Sequence, residues 1–535
     1  PAGLYGRMTF HTRDQYRKVV EKLALATGQS ELSVARAAID LTQPAVTMPP
    51  APDVDPWAGL AQPVAAHVGH YLLGDARDRL AAAIGHQPNP LRRWLQNHVT
   101  AVYTGSLIGL TVLLLVVLVL YTGWLGGAWW QMLLVGLLGF VPVTAVAVGI
   151  VNWFVTNLVT PHVLPKLDFT EGIPATCRTM VVIPALLTSE AEARSLFAQL
   201  EQHYLRNPDP QLGFALLTDF ADAPEAAMPE DDNLVEQARE ILHGLNRKYA
   251  QRPFYLFHRH RLHNPSEGTW MGWERKRGKL HEFNQLLRGK SDTTFTVQEG
   301  NLANLPQVKY VITLDADTVL ATDAACRLVG ALAHPLNRAQ CEPHSGRITT
   351  GYTILQPRTE VKPTRAGQSL FTRVFAGDTG LDLYTLAVSD VYQDLFGEGI
   401  YVGKGIYDVD AFECSLANRI PENTLLSHDL FEGVQGRVGL VTDIVLYEDY
   451  PPHYLVHVGR SHRWIRGDWQ LLPWLFPLVP SPGNGRRRND LSFLARWKIV
   501  DNLRRSLVAP ALFFFLVVGW FWLPGAPVVW SGIGI

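Results

Sequence analysis

Two long stretches without charged side chains constrain the fold of this chain more than any other feature. No Asp, Glu, Lys or Arg occurs in residues 94–165, and a second charge-free run covers residues 506–535. Crossing the bilayer core takes about 20 apolar residues, so the first stretch predicts two membrane helices, near residues 101–121 and 129–156. The second predicts one span near residues 507–523 and the start of another. We therefore expect a multi-pass membrane protein.

Basic residues indicate which side of the membrane the other segments occupy. Arg92 and Arg93 precede the first pair of spans, and several arginines within residues 486–505 precede the last. By the positive-inside rule, the N-terminal segment and the unit between the membrane regions lie on the cytoplasmic side. The net charge of −2 and pI near 6.9 give no sign of a nucleic-acid partner.

Four regions are predicted outside the first pair of spans at residues 94–165. Residues 1–93 predict a cytoplasmic helical segment with a packing or regulatory role, in which Ser30 caps a helix. Residues 166–475 form the soluble unit, and residues 476–505 an amphipathic segment, helical over 491–505, that lies in the membrane interface. Residues 506–535 hold the last span. The chain starts with Pro1 and stops inside a predicted span, so we expect a fragment of a longer protein.

Apolar strand-like runs alternate with helical runs in the soluble unit. The predicted strands are residues 179–185, 214–218, 255–258 and 310–314, and the predicted helices are residues 190–203, 233–249 and 279–287. This alternation is typical of the α/β class, with a largely parallel sheet and helices on both faces. Ligands of such sheets bind beyond the carboxyl ends of the strands. The four cysteines show no metal-binding spacing, which favours free thiols in a reducing compartment.

Asp315 and Asp317 are the strongest single signal for a site, with a surface loop as the alternative, since most Asp-x-Asp sequences lie in surface loops. They follow the apolar run at residues 310–314, and the side-chain period of a strand would place both on one side of its end. Two carboxylates so placed repel each other unless they share a cation. The pair therefore predicts a divalent metal site, with Mg²⁺ or Mn²⁺ neutralising a diphosphate.

Other polar residues end the neighbouring strands or open the next helices. Asp219 and Asp222 follow the second strand and could accept hydrogen bonds from a nucleobase or ribose, although a loop acid or helix cap is an equal alternative. Glu190 follows the first strand and is likewise predicted to bind the nucleotide-sugar. Lys276 and Gly278 lie in a basic turn before a helix, which suits a diphosphate, while a solvated turn is the alternative.

The last candidate site residues along the chain are Asp429 and the group Arg460, Arg463 and Trp464. Asp429 could be the general base for an acceptor hydroxyl, with Glu432 as its rival. The alternative is an acid stabilising the first turn of a helix capped by Ser427. The arginines could bind the leaving diphosphate.

Aromatic rings stack on sugars, so Trp464 and, with less support, Trp469 are predicted to line an acceptor path. Core packing or a tryptophan belt at the membrane interface is the alternative for Trp464. For Trp474 the belt is as plausible as the path.

Two function classes fit these features. One is a glycosyltransferase that uses a nucleotide-sugar, and the other is a membrane transporter or sensor that binds a nucleotide without chemistry. The absence of a Walker-type loop from the sequence, and of charges from the spans, favours the transferase.

The order of these motifs resembles membrane glycosyltransferases of the cellulose-synthase type. The resemblance implies the GT-A fold, a Rossmann-like mixed sheet flanked by helices, in a domain inserted between transmembrane helices. Within that group, longer strings resemble cyclic β-1,2-glucan synthases. The strings are Arg7-Met8-Thr9-Phe10, the ten residues from Met271 to Leu280, Gly399-Ile400-Tyr401 and the eight residues from His462 to Trp469.

The resemblance implies an inverting transfer from UDP-glucose with a divalent cation, in a bacterial inner membrane. It also implies a β-1,2-glucan that grows on the protein and ends in the periplasm, and partner glycoside-processing domains that this chain lacks. Residues 427–429 would match the family's Thr-Glu-Asp, and Arg460 stands where its Gln-x-x-Arg-Trp motif has Gln. A linear β-glucan synthase of another linkage is the alternative.

Overall fold

The computed structural model describes residues 3–46, 57–87, 89–362, 368–375, 390–425, 428–483 and 485–534. The helices are α1 (Phe10–Thr27), α2 (Glu31–Thr42), α3 (Gly69–Leu72), α4 (Arg77–Ala83), α5 (Pro90–Asn97), α6 (Val99–Trp124), α7 (Trp129–Leu158), α8 (Glu190–Arg206), α9 (Asp231–Lys248), α10 (Arg275–Leu287), α11 (Ala324–Ala333), α12 (Leu370–Phe375), α13 (Val391–Phe396), α14 (Val409–Leu416), α15 (Asp429–Gly436), α16 (Tyr454–Gln470), α17 (Phe493–Phe521) and α18 (Pro527–Gly534).

The strands are β1 (Thr179–Leu187), β2 (Leu212–Phe220), β3 (Phe254–Arg259), β4 (Leu262–Asn264), β5 (Thr269–Met271), β6 (Phe295–Glu299), β7 (Tyr310–Thr313), β8 (Val319–Leu320), β9 (Gln340–Cys341), β10 (Ile348–Thr350), β11 (Ile354–Val361), β12 (Gly405–Asp408), β13 (Val438–Glu448), β14 (Leu478–Ser481) and β15 (Gly485–Arg488). The strands and helices predicted in the first half of the soluble unit are all present, with ends that differ by a few residues. The α/β class is therefore confirmed.

Nine strands form the central sheet, in the order β6-β3-β2-β1-β7-β12-β11-β13-β8. Among the described strands, β1 pairs in parallel with both β2 and β7. The pairs β2–β3 and β11–β13 are also parallel. The pairings that involve β6, β12 and β8 are antiparallel. The sheet is therefore mixed, as the resemblance to the GT-A fold implies, and not largely parallel, as the alternation of strands and helices predicts.

Helices cover both faces of the sheet because alternate strand residues point in opposite directions. Val181 and Ile183 of β1 belong to the core that also contains apolar residues of α8, α9 and α11. Met180 and Val182 belong to a second core with α10 and α14. This arrangement explains why the inner strands are apolar on both faces.

The N-terminal helices pack onto the soluble unit. Tyr16 and Val34 belong to the same core as the α8 face of the sheet, and Met8 forms an isolated β-bridge with Leu167. Ser30 caps α2 by accepting a hydrogen bond from the Ser33 N–H, as predicted. The N-terminal segment therefore contributes to the core.

Three helices among the described residues, α6, α7 and α17, are long and apolar enough to cross a membrane. They coincide with the three full spans predicted from the charge-free stretches. The predicted helix at residues 491–505 and the predicted span at residues 507–523 form one helix, because α17 continues through Pro510 without a break. Lys498 of this segment is buried and donates to the Gly399 carbonyl at 2.8 Å, so the first half of α17 packs against the soluble unit.

The prediction of four free thiols is wrong for two of them. Cys341 of β9 and Cys414 of α14 form a disulfide, whereas Cys177 and Cys326 are free. The paired cysteines are separated by 73 residues, and only the fold brings them together.

Candidate active site

The carboxyl ends of six strands meet at one edge of the sheet. β1, β2, β3 and β7 run in parallel, and β11 and β13 run in the same direction because β12 lies antiparallel between β7 and β11. The pairing of Gly405 with Thr313 places the start of β12 at this edge too. Since ligands of open α/β sheets bind beyond such ends, this edge is the candidate site.

Asp315 and Asp317 lie in a turn rather than at the end of a strand. β7 ends at Thr313, and the Thr318 N–H donates to the Asp315 carbonyl at 3.0 Å. The strand-period argument for placing both carboxylates on one side is therefore wrong, although both residues do lie at the candidate edge.

A continuous series of ion pairs crosses the site from α10 to α16. Lys276 Nζ lies 2.6 Å from Asp315 Oδ1, and Lys404 Nζ lies 3.2 Å from Asp315 Oδ2. Lys404 also pairs with Glu448, whose other oxygen lies 3.8 Å from Arg460 Nη2. The structure thus joins the predicted residues Lys276, Asp315 and Arg460 in one network.

Lys276 and Lys404 supply Asp315 with positive charge that the sequence analysis expected a metal ion to supply. Burial alone would raise the pKa of Asp315, but Lys276 and Lys404 outweigh burial and hold that pKa below its usual value. Asp317 differs, because its side chain makes no hydrogen bond or ion pair within the described part of the chain. Its partly exposed carboxylate is a hard oxygen ligand that suits Mg²⁺ or Mn²⁺, so Asp317 fits a metal better than Asp315 does.

Gly403 joins this network to Asp429. Its carbonyl accepts a hydrogen bond from Lys276 Nζ at 2.9 Å. Its φ is +83°, and a Cβ at this position would lie 2.7–2.8 Å from the carboxylate atoms of Asp429. A glycine is therefore required where the chain passes the candidate base, which lies at the start of α15. Ser427, the predicted cap of this helix, lies outside the described residues.

His428 and Glu432 flank Asp429 on the inner side. His428 Nε2 lies 3.5 Å from Asp429 Oδ1 and 3.8 Å from Glu432 Oε1. Burial lowers the pKa of His428 to about 4, and burial together with the Asp429 charge raises the pKa of Glu432 well above its ordinary value. Both side chains are buried, whereas that of Asp429 is 30% exposed. Of the two rival carboxylates, only Asp429 is accessible to an acceptor.

Asp219 is buried in a second ion cluster. Arg259 donates from Nε to Asp219 Oδ1 at 2.7 Å and from Nη2 to Oδ2 at 2.9 Å, and Lys279 Nζ lies 3.0 Å from Oδ2. Arg259 also bonds Glu282 at 2.8 Å and the Trp273 carbonyl at 3.0 Å. Both oxygens of Asp219 are thus engaged by the protein, which favours a role in holding the basic turn to β2.

The other predicted residues near this edge lie outside the ion-pair network. Asp222 is exposed and pairs with Arg275 at 3.0 Å. Glu190 bonds Arg194 of its own helix at 2.9 Å. Gly278 serves close packing, because a Cβ there would lie 2.2 Å from the Trp273 carbonyl oxygen.

α16 carries the aromatic and basic residues of the acceptor-side motif. The Arg460 guanidinium lies 4.5 Å from the ring centre of Trp464, whose side chain is half exposed. Arg463 is exposed and forms no ion pair with the residues that the structure describes. Trp469 donates to Ser506 of α17 at 3.1 Å. Trp474 is buried, so neither predicted alternative, acceptor path or membrane belt, describes it.

Sequence reasoning missed Arg259, Lys404 and His428. Arg259 is paired in register with Asp219 across β2 and β3, so the parallel alignment of these strands could have found it. Lys404 lies between Gly403 and Gly405, a pattern that marks close backbone approach.

Comparisons with known proteins give one strong similarity. The chain is 42% identical over 536 residues to cyclic beta-(1,2)-glucan synthase NdvB of Rhizobium meliloti, an alignment that covers 98% of this chain. It is 27% identical over 369 residues, or 65% of this chain, to glucans biosynthesis glucosyltransferase H of Ralstonia nicotianae. The resemblance to cyclic β-1,2-glucan synthases predicted from the motifs is therefore confirmed.

The alignments cover only part of these relatives. The chain spans 18% of the length of the Rhizobium protein and 34% of the Ralstonia protein. No protein-family model matches the chain. The crystal structure of S. aureus TarS aligns with a TM-score of 0.32 and 10% identity, over 64% of this chain and 46% of TarS, which is too distant to carry an argument.

Proposed function

We propose that this chain is the glucosyltransferase unit of a bacterial inner-membrane β-1,2-glucan synthase that uses UDP-glucose, with the catalytic unit in the cytoplasm and the product passing toward the periplasm. The observation that carries the proposal is the convergence of Lys276, Asp315 and Asp429 around Gly403, at the sheet edge where ligands bind. The 42% identity to a named cyclic glucan synthase supports the substrate class and linkage.

The donor diphosphate would lie on the cationic side of this site. Lys276 is at the N-terminal end of α10, where the helix dipole adds to its charge. A divalent cation held by Asp317, with Asp315 beside it, would neutralise the diphosphate when bound. Arg460 and the exposed Arg463, on α16, would bind the leaving group from the other side.

Asp429 would take the proton from the attacking acceptor hydroxyl. Gly403 leaves the carboxylate uncovered where a side chain would displace it, and the network around Lys276 fixes the backbone of this segment. Trp464, half exposed beside Arg460, offers a flat apolar face on which the acceptor glucose could stack.

The proposal is tested by the Asp429→Asn variant, assayed with UDP-[¹⁴C]glucose in detergent or proteoliposomes and followed by linkage analysis of the glucan. Losing a general base costs on the order of 10²–10⁴-fold in rate, while UDP binding should be unchanged because the side chain keeps its shape. Glu432→Gln is the matched control, since it makes the same change one turn further along α15. A rate loss in Glu432→Gln alone would show that the base was wrongly assigned.

The linkage result tests the other part of the proposal. A predominance of 1,2 links supports it. A predominance of 1,3 or 1,4 links would favour the linear-glucan alternative and leave the transferase intact. UDP-glucose binding without any transfer by the wild type would favour a nucleotide-binding sensor or transporter.

A further inference from the structure

Three potential metal ligands meet on the inner side of the candidate base. One ligand atom each from His428, Asp429 and Glu432 lies within 4.8 Å of the others. His428 and Glu432 are one helical turn apart, and their side chains are only 8% and 3% exposed. The cluster is therefore a preformed feature of the interior rather than a group of surface acids.

The polar atoms that face each other in this cluster are unsatisfied. Nε2 of His428 and Oδ1 of Asp429 are both buried, and neither has a hydrogen-bond partner within the described part of the chain. Leaving such an atom unpaired costs about 1–3 kcal/mol, so buried unpaired groups call for an explanation. A bound cation would satisfy both atoms at once.

The spacing and the ligand types suit one class of metal. Tetrahedral Zn²⁺ has bonds of about 2.0–2.2 Å, which places its ligand atoms roughly 3.3–3.6 Å apart. The distance from His428 Nε2 to Asp429 Oδ1, 3.5 Å, lies within this range, and the distance to Glu432 Oε1, 3.8 Å, is slightly longer. One imidazole and two carboxylates favour Zn²⁺ or Co²⁺, whereas Mg²⁺ favours oxygen ligands alone.

We propose that His428, Asp429 and Glu432 form a binding site for a transition-metal ion of the Zn²⁺ type, separate from the Asp317 site, and that an ion bound there inhibits glucosyl transfer. The inhibition rests on the proposed function, because a cation on the buried Oδ1 of Asp429 withdraws electron density from the carboxylate and makes its exposed oxygen a weaker base toward the proton of the acceptor. The binding itself does not depend on that function.

The binding is tested with the full chain in detergent, after removal of any affinity tag. Tetrahedral Co²⁺ gives strong visible ligand-field bands, and Zn²⁺ should displace it. Replacing a group that only supports a metal ligand costs 10–100-fold in affinity. His428→Gln and Glu432→Gln, which each remove a ligand, should therefore weaken Zn²⁺ binding by at least about 100-fold.

His243→Gln is the matched control, because His243 is an exposed histidine 4.0 Å from a single carboxylate, that of Glu299. This variant should keep wild-type affinity. Wild-type affinity in His428→Gln, or no tetrahedral Co²⁺ spectrum in the wild type, would overturn the proposal. If His428→Gln does not fold, as judged by circular dichroism, the same criteria apply to Glu432→Gln.

Activity separates the two parts of the proposal. Zn²⁺ should inhibit wild-type transfer at the concentrations that fill the site, and the ratio of activity with and without Zn²⁺ should approach one in Glu432→Gln. Occupancy without inhibition would overturn the inhibitory role and count against Asp429 as the base, while leaving the metal site in place.

Discussion

Replacing Asp219 by Asn tests whether this residue is a buried counter-ion or a nucleotide ligand. In the structure Asp219 and Glu282 balance the charges of Arg259 and Lys279, and all four side chains are less than 10% exposed. Asp219→Asn keeps the shape but leaves two buried cations with a single carboxylate. Breaking a buried ion pair by removing one partner costs about 3–5 kcal/mol.

This loss can be expressed as a change in melting temperature. An unfolding entropy of about 2.1 cal/mol/K per residue gives roughly 0.6 kcal/mol/K for a unit of about 300 residues. The loss therefore corresponds to a Tm lower by about 5–8 °C, measurable by differential scanning fluorimetry in detergent. Asp222→Asn is the matched control, because the Asp222–Arg275 pair is 38–46% exposed and such pairs are worth about 0–1 kcal/mol.

The loss of stability in the Asp219→Asn variant should also depend on pH. Burial already lowers the pKa of Lys279 to about 8, and losing the Asp219 charge lowers it further. In the folded variant Lys279 therefore loses its proton at a lower pH than it does in the unfolded chain. The stability of the variant thus rises with pH over a range that begins below pH 8. The difference in Tm between wild type and variant should shrink as pH increases toward 8.

UDP binding completes the test. Both Asp219 oxygens are engaged by Arg259 and Lys279, so we expect the folded variant to bind UDP with wild-type affinity well below its Tm. An unchanged Tm with a more than tenfold loss of UDP affinity would refute this reasoning and restore Asp219 as a nucleotide ligand.

Two further variants test the metal and the acceptor path. Asp317→Ala should abolish the gain in UDP affinity that Mg²⁺ or Mn²⁺ provides, measured by isothermal titration, and an unchanged metal dependence would remove Asp317 from the site. Trp464→Ala should shorten or abolish the glucan without reducing the yield of folded, membrane-inserted protein, as checked by product sizing and fluorescence-detected size-exclusion chromatography. Trp474→Ala should instead reduce that yield, because the centre of the Trp474 ring lies 5.1 Å from that of the Phe431 ring. A reduced yield for Trp464→Ala, with normal glucan from the surviving protein, would contradict the path.

The sequence predicted those parts of the fold that depend on local periodicity. β1, β2, β3 and β7 are continuous apolar runs, and the three spans are long charge-free stretches, so each is visible within its own segment. The sequence did not show that the predicted helix at residues 491–505 continues into the span, or that Lys498 of this helix packs against Gly399 of the soluble unit. That packing partner lies about a hundred residues away in sequence.

The sequence predicted individual residues of the site but not the ion pairs that join them. Lys276, Asp315, Asp429 and Arg460 stood out because each belongs to a short motif. Lys404, which connects Asp315 to Glu448, is marked in the sequence only by its two flanking glycines, and its partners lie far away along the chain. Ion pairs of this kind depend on which strands lie side by side, and β12 enters the sheet from a distant part of the sequence.

The segment that follows α13 connects α17, which is long and apolar enough to cross a membrane, to the candidate base Asp429. Lys498 of α17 holds the Gly399 carbonyl at 2.8 Å. Tyr401, two residues on, is buried against Gly433 of α15, where a Cβ would lie 2.9 Å from the tyrosine. Gly403 then passes directly beside the carboxylate of Asp429. These contacts connect α17 to α15 through residues 399–403, so we expect the position of α17 and the position of the candidate base to be coupled. Under the proposed function this coupling would be useful, because it would set the position of the base and the position of the span together.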